Sequence, residues 1–249
     1  LTGTLGVTTA DATDNAVAVT TGAGATSVNV AAGNASDTVA INALALAQNT
    51  DLTITSGAGA AGTVNVTNLA GDLVVSNPTT GTIGVGLADA GDDGISITAG
   101  AATLNVTAIA DGDTVTVTGV DGTFTAAIAG TTGKVDVTGT TGAENISGGD
   151  GADTIDGAGG DDTIDGNGGD DILEFDNSAA LLAAGAGSGT VDGGADNDTI
   201  MFTVADTTIA DADFADVANV ETLQLFGAST AVLATEATAG GITKVVTGT

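Results

Sequence analysis

The chain has 249 residues, 42 % of them apolar, enough for one large or two modest domains with a buried core, which excludes a disordered chain. The apolar residues are nearly all Ala, Val, Ile and Leu, with five Phe and no Trp or Tyr, so the core must be laid down as thin stacked layers. The acids number 32 against Lys134 and Lys244 alone, a formal net charge of -30, and nucleic acid is excluded as a partner because no cationic surface exists to displace phosphate counterions.

Anionic membrane surfaces are excluded for the same reason unless divalent cations bridge the two. A compact chain this acidic repels itself, and salt or bound multivalent cations must offset that repulsion. Cys and His are both absent, which removes disulfides, thiol chemistry, zinc sites with nitrogen or sulfur ligands, and every triad that uses His as base. The chain is therefore read as a non-enzyme. Oxygen is the only metal-ligating atom left, and oxygen-only sites select hard cations, calcium foremost. No run of about 18 apolar residues is present, so no membrane span is expected. Nor is there an N-terminal signal pattern. Because it begins at Leu1 rather than Met, the chain is expected to be a piece of a longer protein whose signals lie elsewhere.

Residues 1–120 carry short apolar-polar-apolar triplets at Val17, Val28, Val39, Leu52, Val64, Leu73, Ile83, Ile95, Leu104 and Val115, 9 to 13 residues apart. Each predicts a short strand with two side chains in and one out. Gly, Ala, Asn, Asp and Thr between them predict turns. Thr26 to Ile41 resembles Thr103 to Val117, which suggests an internal duplication. Regular short strands also describe a β-sandwich. An irregular parallel β-solenoid is preferred, because large aromatics are nearly missing, Pro78 is the only proline, and the second half has solenoid periodicity. Asn34-Ala35-Ser36, Asn65-Val66-Thr67 and Asn105-Val106-Thr107 fit a glycosylation pattern, yet in a chain so rich in Thr and Asn chance accounts for them. Asp92 and Asp93, between Gly91 and Gly94, suit an isolated calcium turn or a plain hairpin turn.

Residues 121–210 hold a stricter rhythm. Stepping by nine from Ile128 gives Val137, Ile146, Ile155, Ile164, Leu173, Leu182, Val191, Ile200 and Ile209, each a branched aliphatic. Four blocks of nine begin at 139, 148, 157 and 166, with Gly first and fourth, an acid sixth and an aliphatic eighth; a fifth, partial block spans 193–201. The stretch 175 to 192 keeps the phase and is read as degenerate coils, with Ser178 to Ala184 free to bulge as a helical turn. Residues 211–249 are expected to cap the open coil, with one short helix between Asp211 and Leu225.

The blocks carry their chemistry in the turns. Glycines let the chain turn tightly so that several carbonyl oxygens point to one spot, and a sixth-place acid such as Asp153 adds its carboxylate there. Two blocks complete one circuit, so Glu144 with Asp162 frames one oxygen-lined slot, and Asp153 with Asp171 the next. A dication taking 6 to 8 oxygen ligands fits such a slot, whereas magnesium demands a tighter octahedron.

Blocks 148, 157 and 166 resemble the Gly-Gly-x-Gly-x-Asp-x-apolar-x nonapeptide of RTX proteins, the repeats-in-toxin family. The resemblance covers 139–174 well and 193–201 in part. It implies an all-β chain whose C-terminal half is a right-handed parallel β-roll binding several Ca2+ ions between its coils. Carried over by position, it implies ligation by Asp153, Asp162 and Asp171 with the carbonyls of Gly148, Gly149, Gly151, Gly157, Gly160, Gly166 and Gly169. Glu144 joins them with one extra methylene, and the partial block adds Asp196 and Asp198. Ala158 and Asn167 depart from the pattern at a second-place Gly, as Asp196 does at a fourth-place Gly.

Metal-coupled folding suits a protein exported unfolded and folded in a calcium-rich exterior, as RTX proteins are. The expected function is an extracellular, calcium-dependent, self-assembling structural protein of the bacterial cell surface, a surface layer or matrix filament. Its partners would be further copies in a homo-oligomer or polymer, and cell-surface polysaccharide. The alternative is an adhesin segment or a calcium-binding accessory module of a secreted enzyme, whose catalytic motif would lie outside these residues.

Overall fold

The computed structural model describes the strands between residues 3 and 127 together with residues 21–24, and residues 133–184, 189–206 and 208–248. The chain divides into two compact units, Leu1–Lys134 and Val135–Thr249.

In the first unit the short strands alternate between two sheets. One sheet takes β1 (Gly3–Thr8), β3 (Thr26–Ala31), β5 (Leu52–Ser56), β7 (Leu73–Ser76), β9 (Gly94–Thr98) and β11 (Thr114–Thr118). The other takes β2 (Ala16–Thr20), β4 (Thr38–Asn42), β6 (Ala61–Leu69), β8 (Thr80–Leu87), β10 (Ala102–Thr107) and β12 (Thr123–Ala127). Pairing is parallel, each strand lying on the strand two before it, which makes the unit a β-solenoid and removes the sandwich alternative. The ten triplets all fall inside strands. Period-2 alternation then decides the core: Val39, Ile41, Leu52, Leu73, Val85, Val106, Val115, Val117 and Phe124 are buried, stacked between the two sheets. Coil length varies, from 19 residues between paired Val64 and Ile83 to 26 between paired Val28 and Ile54, which is why no strict repeat shows in the sequence. The duplicated segments start on different sheets, at β3 and β10. Their likeness therefore reflects the strand-and-turn unit common to both sheets. Asn34-Ala35-Ser36, Asp92 and Asp93 lie outside the described residues.

The second unit has the same plan with shorter strands. One sheet holds β13 (Lys134–Thr138), β15 (Thr154–Asp156), β17 (Ile172–Phe175), β19 (Thr199–Phe202), β21 (Thr222–Leu225) and β22 (Lys244–Thr247). The other holds β14 (Asn145–Ser147), β16 (Thr163–Asp165), β18 (Thr190–Asp192) and β20 (Val217–Ala218). Eighth-place aliphatics stack in register, Val137 on Ile155 on Leu173 on Ile200 on Leu223 in one sheet, and Ile146 on Ile164 on Val191 on Val217 in the other. All nine are buried.

The first compact unit runs to Lys134, with β12 paired to β10 inside it, and residues 211–249 form part of the second unit. The stretch 175 to 192 does keep phase, but its Leu182 block leaves the sheet as helix α1 (Ser178–Ala184), so Ile164 pairs directly with Val191. The closing segment has the one short helix expected between Asp211 and Leu225, a 3-10 helix (Asp211–Phe214), and adds β20, β21, a second helix α2 (Thr235–Ala239) and β22. The acids organise this segment. Asp206 accepts from the Ser178 amide and hydroxyl at 2.8 and 2.5 Å and from the Thr208 amide and hydroxyl at 2.8 and 2.7 Å, tying the start of α1 to the coil above. Asp211 accepts the Ala234, Glu236 and Ala237 amides at the start of α2. No helix among the described residues is long and apolar enough to cross a membrane.

Candidate metal centre

Two rows of turns connect the sheets of the second unit. Where the chain leaves β14, β16 and β18, the next residue is Gly148, Gly166 and Gly193; where it enters β15, β17 and β19, the preceding residue is Asp153, Asp171 and Asp198. The opposite row has Gly139 and Gly157 at its exits, Glu144 and Asp162 at its entrances, and ends at the third coil, where Phe175 and α1 replace the turn.

Each sixth-place Asp is held by the coil below it, while Glu144 accepts from the Thr140 amide and hydroxyl in its own turn at 3.3 and 2.9 Å. The Val135 amide donates to Asp153 Oδ1 at 2.8 Å, the Asp153 amide to Asp171 Oδ1 at 2.8 Å, and the Asp171 amide to Asp198 Oδ1 at 2.9 Å; in the other row the Glu144 amide donates to Asp162 Oδ1 at 2.9 Å. The pairs expected from the sequence are thus brought together. Asp198 is an addition to the ladder, 27 residues from Asp171 in place of the usual 18 because α1 intervenes.

With one oxygen engaged, the other points inward between coils. A side chain at Gly148 would meet Asp153 Oδ2 at 2.6 Å and the Gly166 carbonyl oxygen at 2.8 Å; one at Gly139 would meet Glu144 Oε2 at 3.1 Å and the Gly157 carbonyl oxygen at 2.7 Å. Gly166 faces Asp171 Oδ2 and the Gly193 carbonyl in the same way, and Gly157 lies 2.8 Å, Cβ position to oxygen, from Asp162 Oδ2. First-place glycines are therefore required by close approach, since any Cβ would fill the slot. Gly160 and Gly169 do need the left-handed region, at φ 143° and 106°, and lie against the carbonyls of Gly142 and Gly151. The departures keep that conformation, with Ala158 at φ 64°, Asn167 at 70° and Asp196 at 83°. Gly149 serves the slot through its amide, which donates to Asp153 Oδ2 at 2.7 Å. Asp196 is the one predicted carboxylate outside the slots: its side chain is exposed, and only its backbone occupies the repeat position.

The acids facing the slots, Glu144, Asp153, Asp162, Asp171 and Asp198, are at most 3 % exposed, and Oδ2 of Asp162, Asp171 and Asp198 has no hydrogen-bond partner. Burying an ionised carboxylate without a partner is costly enough that the group either neutralises or binds a cation. Burial, reinforced by the neighbouring carboxylates, pushes Asp171 up to about 8, and Asp162 and Asp198 to about 6. No three side-chain ligands converge anywhere among the described residues, so each slot is a site of two carboxylates and backbone carbonyls. That donor set is all oxygen, the kind that selects hard cations, calcium foremost. When bound, calcium would supply the positive charge that lets the paired carboxylates stay ionised inside the coil.

The geometry defines a cation-binding parallel β-roll. Residues 138–173 and 181–202 match the family model of the RTX calcium-binding nonapeptide repeat, in four copies. These stretches are RTX repeats, a structural module that binds calcium and is not itself catalytic. No curated protein and no solved structure matches the chain.

Sequence reading missed Gly139, Gly193, Asn219 and Glu221. Gly139 and Gly193 are simply the first places of their blocks. Glu221 had a signal: Glu221-Thr222-Leu223 follows the acid-Thr-aliphatic order of Asp153-Thr154-Ile155, Asp162-Thr163-Ile164 and Asp198-Thr199-Ile200. Its distance from Asp198, 23 residues, breaks the period and hid it.

Proposed function

We propose that this chain is an extracellular, calcium-folded structural protein of the bacterial cell surface, whose copies assemble into a surface layer or filament. The observation that carries it is the set of buried, unpartnered oxygens on Asp162, Asp171 and Asp198, which no protein group satisfies and which calcium, scarce inside cells and abundant outside, would. Export of an unfolded chain followed by folding in external calcium follows from that dependence. Assembly is supported by the exposed strand at the edge of one sheet: among the described residues β22 has no strand beyond it, and Val245, in register with the buried core row, is 47 % exposed. Such an edge is a template for pairing with another copy.

A second reading, an adhesin segment that holds cell-surface polysaccharide, draws on the first unit. Its strands carry no charged residue, and an open groove of about 500 Å³ on one sheet is lined by Asn65, Thr67, Thr82 and Asn105 together with Ala40, Val66 and Val85, with the Asn65 side chain lying over Gly84. Amides and hydroxyls beside apolar surface suit neutral, hydroxyl-rich ligands.

Circular dichroism and light scattering, recorded while calcium is titrated into chelated protein with magnesium as control, test the proposal. A cooperative gain in strand signal above that of the first unit, produced by calcium and not by magnesium and followed by rising scattering, is the expected result. Folding without scattering favours the adhesin reading, and no response to calcium sinks both.

A further inference from the structure

The ladder of acids does not stop where the recognisable repeats do. Above Asp153, Asp171 and Asp198 stands Glu221, whose Oε2 accepts the Asp198 amide at 2.8 Å, as Asp198 Oδ1 accepts that of Asp171. We propose that Asp198, Glu221 and the backbone carbonyl of Asn219 hold a calcium ion of their own, the last in the row, and that this ion fastens the closing coil of the unit. The proposal rests on the calcium reading above and extends it to residues outside the matched repeats.

Three observations converge on the slot. Asp198 is fully buried, and its Oδ2 has no hydrogen-bond partner, so an unsatisfied charge already points into it. Gly193 lacks the side chain that would fill it: a Cβ there would meet Asp198 Oδ2 at 2.7 Å and, closer still, the Asn219 carbonyl oxygen. This is the arrangement of Gly166 with Asp171 Oδ2 and the Gly193 carbonyl, moved up one coil. Asn219 itself occupies the place held below by Gly148, Gly166 and Gly193. It adopts φ 51°, a left-handed conformation that Asn tolerates, and its side-chain nitrogen donates to Asp192 Oδ1 at 2.8 Å, away from the slot. A side chain is permitted at this one first-place position because the row ends here, which makes Asn219 the roof of the final slot.

The ligands lead straight into the last strands. The Glu221 and Thr222 amides donate to the Asp198 carbonyl at 3.1 and 2.9 Å, and the Glu221 carbonyl accepts the Thr243 and Lys244 amides at 3.0 and 3.1 Å. An ion bridging Asp198 and Glu221 would therefore pin β21 and the first residue of β22 to β19. Without it, two carboxylates face each other at the point where the coil closes.

The test counts calcium on the full chain by equilibrium dialysis and follows amide hydrogen exchange in the same samples. Glu221→Gln is expected to bind one calcium fewer at saturation, with the Thr243 and Lys244 amides exchanging at least tenfold faster and those of residues 139–174 unchanged. Glu221→Asp, which restores the acid found elsewhere in the ladder, is expected to keep the full count. An unchanged count in Glu221→Gln overturns the proposal, as does loss of the ion in both variants. A wild-type chain that binds no calcium at all fails the underlying calcium reading instead, and the dialysis separates the two results.

Discussion

The two units share a coil of two parallel sheets and differ in where they keep their charge. In the first, the strands carry only apolar, hydroxyl, amide and glycine residues, and their inward rows stack as an apolar core. In the second, 21 of the chain's 32 acids are gathered into about half of its length, and five of them are buried between coils. The strands of the second unit are also shorter, three or four residues in the repeats, so each coil buries less apolar surface and relies more on its turns. One architecture thus carries two patterns: apolar rows where coils are long, and buried carboxylates paired between turns where they are short.

Substitutions sharpen that contrast. The largest effect is expected from Asp171→Ala, because Asp171 stands between Asp153 and Asp198 and serves the slots on both sides. Removing one partner of a buried charge pair costs about 3–5 kcal/mol, and the loss should appear as a raised calcium midpoint for strand formation in the second unit with the first unit unaffected. Gly166→Ala comes next. Its Cβ would enter the space of Asp171 Oδ2 and the Gly193 carbonyl, and overpacking of this kind costs about 1–3 kcal/mol, to be read from chemical denaturation in saturating calcium.

Acidity should move the two states of the second unit in opposite directions. Free carboxylates titrate at about 4. In the calcium-free fold Asp162 and Asp198 titrate at about 6 and Asp171 at about 8, so these groups favour the metal-free coil in acid and lose that contribution as pH rises through 6 and then 8. Calcium must displace those protons, so its midpoint should rise as pH is lowered over the same window. Dichroism midpoints at pH 5, 6, 7 and 8 check both signs; a calcium midpoint that falls with acidification contradicts the slot assignment. The smallest effect is expected for Asp206→Asn, which weakens the two hydrogen bonds from Ser178 at the start of α1 and the two from Thr208, and should cost about 1 kcal/mol in a thermal melt.

Much of this architecture is legible in the amino-acid sequence. The nine-residue step from Val137 to Leu173 gives the register of the second unit directly, because a fixed period leaves only one way to stack identical coils. The triplets of the first unit mark ten strands but not β1 or β12, where Gly6 and Ala126 dilute the pattern. Periodicity alone does not reveal that the Leu182 block becomes α1: Ala-rich sequence holds phase in a helix as well as in a coil, and only pairing of Ile164 with Val191 settles it. Nor does it reveal α2, a five-residue helix set by Asp211 from 25 residues away. The site is readable wherever Gly and Asp recur at fixed places, and becomes unreadable at Asn219 and Glu221, where geometry persists after the spacing has changed.

The most direct test of the account is amide hydrogen exchange of the whole chain, resolved by peptide, in excess calcium and again in excess chelator. Residues 135–248 are expected to be protected in calcium and to exchange freely without it, while the strands of residues 3–127 keep their protection in both. Equal protection of the second unit in the two conditions would contradict it, since the buried carboxylates of Asp162, Asp171 and Asp198 would then need no cation.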